Sequence, residues 1–194
     1  MAQQIINIGA APNDFTGDPL RTGATKANDN FTELYANSVS CYAELNSLQT
    51  QTFLVSTPTP ISLDNQNEVE FITHSTVTNN SEMTIDVAGV YKFGIELQLL
   101  RTTGGGINIF NCWVQKDSGG SFVNLPNSNI KVNIATSART FVSPLTTTVR
   151  LNVNDKIRFM ASTDDVDVVL SYTAAGGGIP ATPSVIVNVI KIGS

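Results

Sequence analysis

The stretch Gly89-Val90-Tyr91-Lys92-Phe93-Gly94-Ile95-Glu96-Leu97-Gln98-Leu99 puts Tyr91, Phe93, Ile95, Leu97 and Leu99 on one side of an extended chain, with Lys92, Glu96 and Gln98 on the other. Alternation of this length predicts a strand with one face in a core and one toward water. Ile130, Val132 and Ile134, then Val149, Leu151 and Val153, repeat the pattern. Working outward, candidate strands fall at 68–73, 83–87, 90–102, 107–117, 121–125, 128–136, 140–153, 156–163, 167–173 and 184–192. Turn residues separate them: Ala88-Gly89, Gly104-Gly105-Gly106, Ser118-Gly119-Gly120, Asn154-Asp155 and Asp164-Asp165. With no helical period after Ile61, the expectation is a mainly β protein, an antiparallel sandwich or jelly roll. The last strand carries Val185, Val187 and Val189 on one face and Ile186, Ile190 and Ile192 on the other. Such a strand is expected either at the centre of a covered sheet or at a subunit contact, and the three valines are a candidate trimer interface.

Upstream the pattern changes. Small or apolar residues recur at Leu20, Ala24, Ala27, Phe31, Leu34, Ser38, Cys41, Leu45 and Leu48, in steps that alternate four and three. A period of about 3.5 predicts a helix whose seam faces parallel copies of itself. Over 20–48 that helix would be about 43 Å long. One amphipathic helix packed on its own domain is the plainer reading of the same period. The Ala, Ser and Cys positions make a weak zipper, so a trimeric coiled-coil stalk would rely on the domain after it. Thr57-Pro58-Thr59-Pro60 enforces an extended linker. The expected organisation is an extended arm over 1–19, a helical stalk over 20–56, the linker 57–60 and a head domain over 61–194. In the arm, Gln3 to Ile8 reads as a short strand, while Gly9, Pro12, Gly17 and Pro19 prevent regular structure beyond it. Asp18 is the expected N-cap and Pro19 the first helical residue.

The chain has 194 residues, enough for one sizeable domain and an extension. Charged residues are 14%, below the roughly 25% usual for soluble domains. The net charge is −5 and the 11 Lys and Arg are scattered, so no row of phosphates is matched and no nucleic-acid partner is expected. No apolar run has the length of a membrane span, and the start MAQQIINIG lacks the basic and apolar parts of a signal peptide. Synthesis in a cytoplasm, with no export by a signal of its own, is expected. Cys41 and Cys112 are expected as packed thiols rather than a disulfide. The sole histidine, His74, has no ligand or triad partner at useful spacing and is expected at the surface or in a turn. Asp164, Asp165 and Asp167 fit a solvated hairpin tip better than a calcium site. The glycine triplets 104–106 and 176–178 lack the residues of a phosphate loop. Trp113 alternates with apolar neighbours and is expected in the core. No catalytic constellation, cofactor or metal is expected.

Two segments carry resemblances. Ala88-Gly89-Val90-Tyr91-Lys92-Phe93-Gly94-Ile95, then Trp113-Val114-Gln115-Lys116-Asp117, then Leu151-Asn152-Val153-Asn154-Asp155-Lys156-Ile157-Arg158-Phe159 resemble, in order, the motifs of tumour-necrosis-factor/C1q-like jelly rolls. Asn154 stands where that family usually has Gly. The likeness covers roughly residues 83–192 and implies a trimer. Pro12-Asn13-Asp14-Phe15-Thr16-Gly17-Asp18-Pro19-Leu20-Arg21-Thr22, followed by Lys26-Ala27-Asn28-Asp29-Asn30-Phe31-Thr32-Glu33-Leu34-Tyr35, is similar to the N-terminal segment of many tailed-phage fibre and virion-decoration proteins. It departs from their pattern at Phe15 and at Gly23 and Ala24.

The second resemblance implies a phage virion protein made in a bacterial host, and with the stalk and the first resemblance the expectation is a homotrimer. Its arm would anchor it to the major capsid protein or another virion protein through Ile5, Ile6, Asn13, Asp14, Asp18, Pro19 and Arg21. A capsid decoration role (cement or head fibre) is the first expectation. The alternative is a short tail fibre or receptor-binding protein whose head recognises a host glycan or protein. The loop from Ala174 to Pro183 has no aromatic residue, which weighs against glycan binding there.

Overall fold

The computed structural model describes residues 4–11, 15–38, 40–135 and 140–193. Helix α1 (Leu20–Ser38) is followed by β1 (Tyr42–Ser47), β2 (Thr59–Pro60), β3 (Asn65–Glu70), β4 (Ile72–His74), β5 (Met83–Ile85), β6 (Gly89–Arg101), β7 (Asn108–Asp117), β8 (Val123–Asn124), β9 (Ile130–Ile134), β10 (Thr140–Leu151), β11 (Lys156–Thr163), β12 (Val168–Leu170) and β13 (Val185–Gly193). Every strand expected from alternation is present. The expected strand at 68–73 is divided between β3 and β4 at Phe71, whose φ of 54° breaks the extended run.

One sheet has the order β10-β6-β13-β1-β3, with β12 also on β6. The other has the order β4-β5-β11-β7-β8, with β9 also on β7 and β2 on β11. Eight of these strands, β1, β5, β6, β7, β9, β10, β11 and β13, are divided equally between the sheets. The first, third, sixth and eighth pair in one sheet, and the second, fourth, fifth and seventh in the other. That connectivity is a jelly roll, two interlocked Greek keys.

The core lies between the sheets. Tyr91, Phe93, Ile95, Leu97 and Leu99 of β6 face Phe110, Cys112 and Val114 of β7 and Ile157, Phe159 and Ala161 of β11, all buried. Phe93 and Phe159 meet edge to face across the sandwich, with ring centroids 6.4 Å apart. Neither Cys41 nor Cys112 is in a disulfide and both are buried, and burial pushes the Cys112 thiol up to about 12.

Three local features explain residues of the quoted motifs. A Cβ on Gly89 would sit 2.6 Å from the Gly193 carbonyl oxygen, so only glycine lets β13 close on β6 at this point. Tyr91 Oη donates to the Val87 carbonyl oxygen at 2.6 Å, tying the strand to the turn before it. Asn154 has φ 69°, the left-handed conformation that asparagine adopts more readily than most residues. Beside that turn, burial opposes ionisation of Asp155. Hydrogen bonds from Lys116, the Asn152 N–H and Ser118 outweigh it and hold the carboxyl below its ordinary range. The triplet 104–106 is a loop folded over Arg101. This fully buried side chain donates to the carbonyl oxygens of Gly105 and Gly106, each at 2.6 Å.

The structure corrects several expectations. The helix ends at Ser38, not Leu48, and the chain divides into compact units at Val39/Ser40 rather than at 57–60. Residues 42–47 form β1, between β13 and β3, so Cys41, Leu45 and Leu48 are not stalk residues. A strand hydrogen-bonded on both edges satisfies its backbone as fully as a helix, and it also buries Ala43 and Leu45 in the core. Thr59–Pro60 is a short strand on β11, not a free linker. Val185, Val187 and Val189 are buried within their own chain and are not a subunit contact. Trp113 lies on the outer face of the second sheet, half-buried, because Phe110, Cys112 and Val114 take the inward positions.

Candidate functional site

The arm and α1 form a unit of their own, built by polar side chains of the helix reaching back to the extended segment. Asn30 grips Gln4 at both backbone groups, with Oδ1 accepting from its N–H and Nδ2 donating to its carbonyl, each at 2.9 Å. Gln4 Nε2 donates to Asp29 Oδ2 at 3.0 Å. Lys26 Nζ donates to the Ile5 carbonyl at 3.1 Å and to Asp18 Oδ2 at 2.6 Å. The same Asp18 oxygen accepts from the Asn7 N–H at 3.0 Å, and the Asp18 N–H donates to the Asn7 carbonyl at 2.7 Å. Asn7 Nδ2 closes the loop by donating to the Thr16 carbonyl at 2.8 Å. Gln3 to Ile8 was expected as a strand. Its described residues 4–8 belong to no strand, because side chains of Asp18, Lys26 and Asn30 take backbone groups a neighbouring strand would use.

Asp18 therefore serves the arm, and Pro19, whose carbonyl accepts from the Gly23 N–H at 2.9 Å, is the N-cap. The helix begins one residue later than expected. Gly17 lies under the crossing: a Cβ there would be 3.0 Å from Asn7 O, Ile8 C and Gly9 N. Ile6 rests on the helix where Gly23 leaves room, its Cγ2 3.5 Å from the position of an added Cβ. Asn13 and Asp14 lie outside the described residues. Arg21 is exposed, and its carbonyl accepts from Thr25 Oγ1. The reading from sequence missed Asn7, Gly17, Lys26 and Asn30 as the holding residues. All but Asn7 stand in the quoted fibre-type motif, which was the available signal.

The Lys26 ammonium and the Asn7 N–H hold the Asp18 carboxyl below its ordinary range. A carboxyl lowered in this way stabilises the clasp above the ordinary carboxylate range and ceases to as pH falls through the lowered value. Gly17→Ala is expected to raise amide hydrogen exchange at residues 4–9 about two- to tenfold, the weight of roughly one hydrogen bond, with the β-unit unchanged. Acidification through the lowered Asp18 value should likewise cut the protection of those amides in the native chain, measured against their intrinsic exchange rate at each pH. Unchanged exchange in both would show that the arm is not held this way.

While Asp18, Lys26 and Asn30 engage the arm, several apolar residues face water. Ile8 is 90% and Phe15 98% exposed, and Ile5 is also largely exposed. On α1, Leu20, Phe31 and Leu34 of the expected seam are 91%, 57% and 62% exposed, Ala24 is exposed and Ala27 half-buried. Gly23, Lys26 and Asn30, which carry the arm, lie about a quarter-turn round the helix from that seam. On the β-unit, the outer face of β13 presents Ile190 and Ile192, with Tyr42 in register beside Ile190.

No group of three metal-ligating side chains occurs among the described residues. Asp164 accepts from the Ile109 N–H, Asp165 from Asn108 and the Asp167 N–H, and Asp167 from Thr103, so all three carboxylates are used in building the turn. His74 is half-buried rather than free, with Nε2 3.1 Å from the Asn80 carbonyl; burial lowers its pKa while that contact raises it. Among the described residues no helix is long and apolar enough to cross a membrane.

Fold and site together define a jelly-roll β-sandwich preceded by a clasped arm and helix. No protein-family model and no curated protein matches the sequence. Among solved structures, murine APRIL is similar with a TM-score of 0.49 at 9% identity, over 79% of this chain and 100% of that one. The globular domain of zebrafish complement 1qA protein is similar with a TM-score of 0.48 at 12% identity, over 79% and 98%. The fold class rests on the strand pairings of this chain.

Proposed function

We propose that this chain is a homotrimeric phage virion structural protein, a capsid decoration subunit of the cement or head-fibre kind, anchored to the major capsid protein or another virion protein by its clasped N-terminal unit. The observation that carries this reading is the uncovered seam of α1. Leu20, Phe31 and Leu34 lie in water on a helix of 19 residues whose composition would be marginal in isolation. Their four-and-three spacing suits parallel copies. The outer strip at Tyr42, Ile190 and Ile192 is a second surface for the same association. In this reading the arm docks by the exposed Ile5, Ile8 and Phe15, since Asp18, Lys26 and Asn30 are used in holding the clasp together. Three arms on one trimer multiply weak contacts through effective concentration.

The test is deletion of the coding sequence from the phage that carries it. Virions that adsorb normally but leak DNA or burst on heating are expected. Intact heads that fail to adsorb would favour the second reading, a tail fibre or receptor-binding protein, which draws support from the half-buried Trp113 on the outer face of the head. Unaltered virions, with the protein absent from purified particles, would overturn both.

A further inference from the structure

We propose that a groove on the outer face of the second sheet, centred on Trp113, binds a neutral saccharide. The groove has a volume of about 580 Å³, within the range of roughly 300–1,000 Å³ usual for small-molecule sites. Asn111 and Trp113 of β7, Ser162 of β11, Asn124 of β8, and Asn127 and Asn129 of the loop after it converge there.

The indole is fixed before any ligand arrives. Trp113 Nε1 donates to Asn124 Oδ1 at 2.7 Å, and the same oxygen accepts from Gln115 Nε2 at 2.8 Å. Gln115 Oε1 in turn accepts from Arg158 Nε at 2.8 Å, and the Arg158 guanidinium stacks on Phe122 at 3.8 Å. With its single polar atom already bonded, the ring offers an occupant only apolar aromatic surface. A second lining residue is pinned as well. Ser128 is buried, its Oγ accepting from the Val114 N–H at 3.1 Å and donating to the Leu125 carbonyl at 2.8 Å. A pre-formed site loses little freedom on binding.

The lining selects the chemistry. Amides and hydroxyls both give and accept hydrogen bonds, and among the described residues no charged side chain lines the groove. An anion would need arginine or lysine and a cation would need carboxylates. A largely apolar ligand would need a largely apolar lining. Sugar rings combine an apolar C–H face, which stacks on an aromatic, with a rim of hydroxyls that pair with amides. The inference does not rest on the virion reading.

Trp113 is the one tryptophan of the chain, so indole emission reports this groove alone. The full-length protein is titrated with glucose, galactose, mannose, N-acetylglucosamine and their disaccharides, and in parallel with glucuronic and sialic acids. A saturable emission change with at least one neutral sugar and none with the acids is expected. Asn111→Ala with Asn129→Ala should weaken that binding about tenfold, the weight of one or two hydrogen bonds, with the thermal midpoint unchanged. No response to any neutral sugar, a response confined to the acids, or full affinity in the double variant would overturn the site. A protein that incorporates into virions but binds no sugar sinks this inference alone; one that binds sugar but is absent from virions sinks only the assembly reading.

Discussion

Leu45→Ala is expected to destabilise the β-unit by about 2–5 kcal/mol, the cost of truncating a fully buried leucine and leaving a cavity. Leu45 is 0% exposed, on a strand held between two others, where no solvent can fill the space. For a chain of this size that corresponds to a fall in thermal midpoint of roughly 5–15 °C by calorimetry. The control is Leu34→Ala. Leu34 stands in the same heptad series but is 62% exposed on α1, and its truncation should move the midpoint of the β-unit by less than about 1–2 °C. Equal shifts for the two would mean that residues 20–48 behave as one element, against the break between α1 and β1.

The second large effect is on assembly. Phe31→Asp places a carboxylate at the widest seam position of α1, and in a parallel trimer three such charges would meet in one layer. Burying them together is unfavourable whatever the neighbouring layers contribute. The expected result is monomers, or protein that no longer incorporates into virions, with the circular dichroism of the sandwich intact because α1 belongs to a separate unit. Light scattering reads the mass directly. An unchanged oligomer would mean that the seam proposed for α1 is not an interface.

Much of the sandwich is legible in the chain because period-2 alternation reports burial locally. The stretch from Tyr91 to Leu99 announces which side chains go inward, and all five of those are buried. Glycine and asparagine mark turns for the same local reason: Asn154 adopts the left-handed backbone its position in the motif requires. The clasp was only partly legible. Gly17, Asp18, Lys26 and Asn30 stand in a recognisable motif, yet nothing in their spacing says that they hold Gln4, Ile5 and Asn7 of the same chain. Hydrogen bonds between residues 11 to 26 positions apart leave no periodic trace.

The stretch from Cys41 to Leu48 shows where local reasoning stops. Residues four apart share a face in a helix and also in a strand, so Cys41 and Leu45 satisfy both patterns equally. Composition and alternation alone determined that this is a β-rich chain with an apolar-seamed helix near its start, and they located nearly every strand. Only the tertiary structure decided that the helix stops at Ser38 and that Trp113 faces outward while Val185, Val187 and Val189 face in. The reason is that β1 gains its backbone partners from residues 65–70 and 185–190, and a choice made by such distant segments cannot be read within any short window.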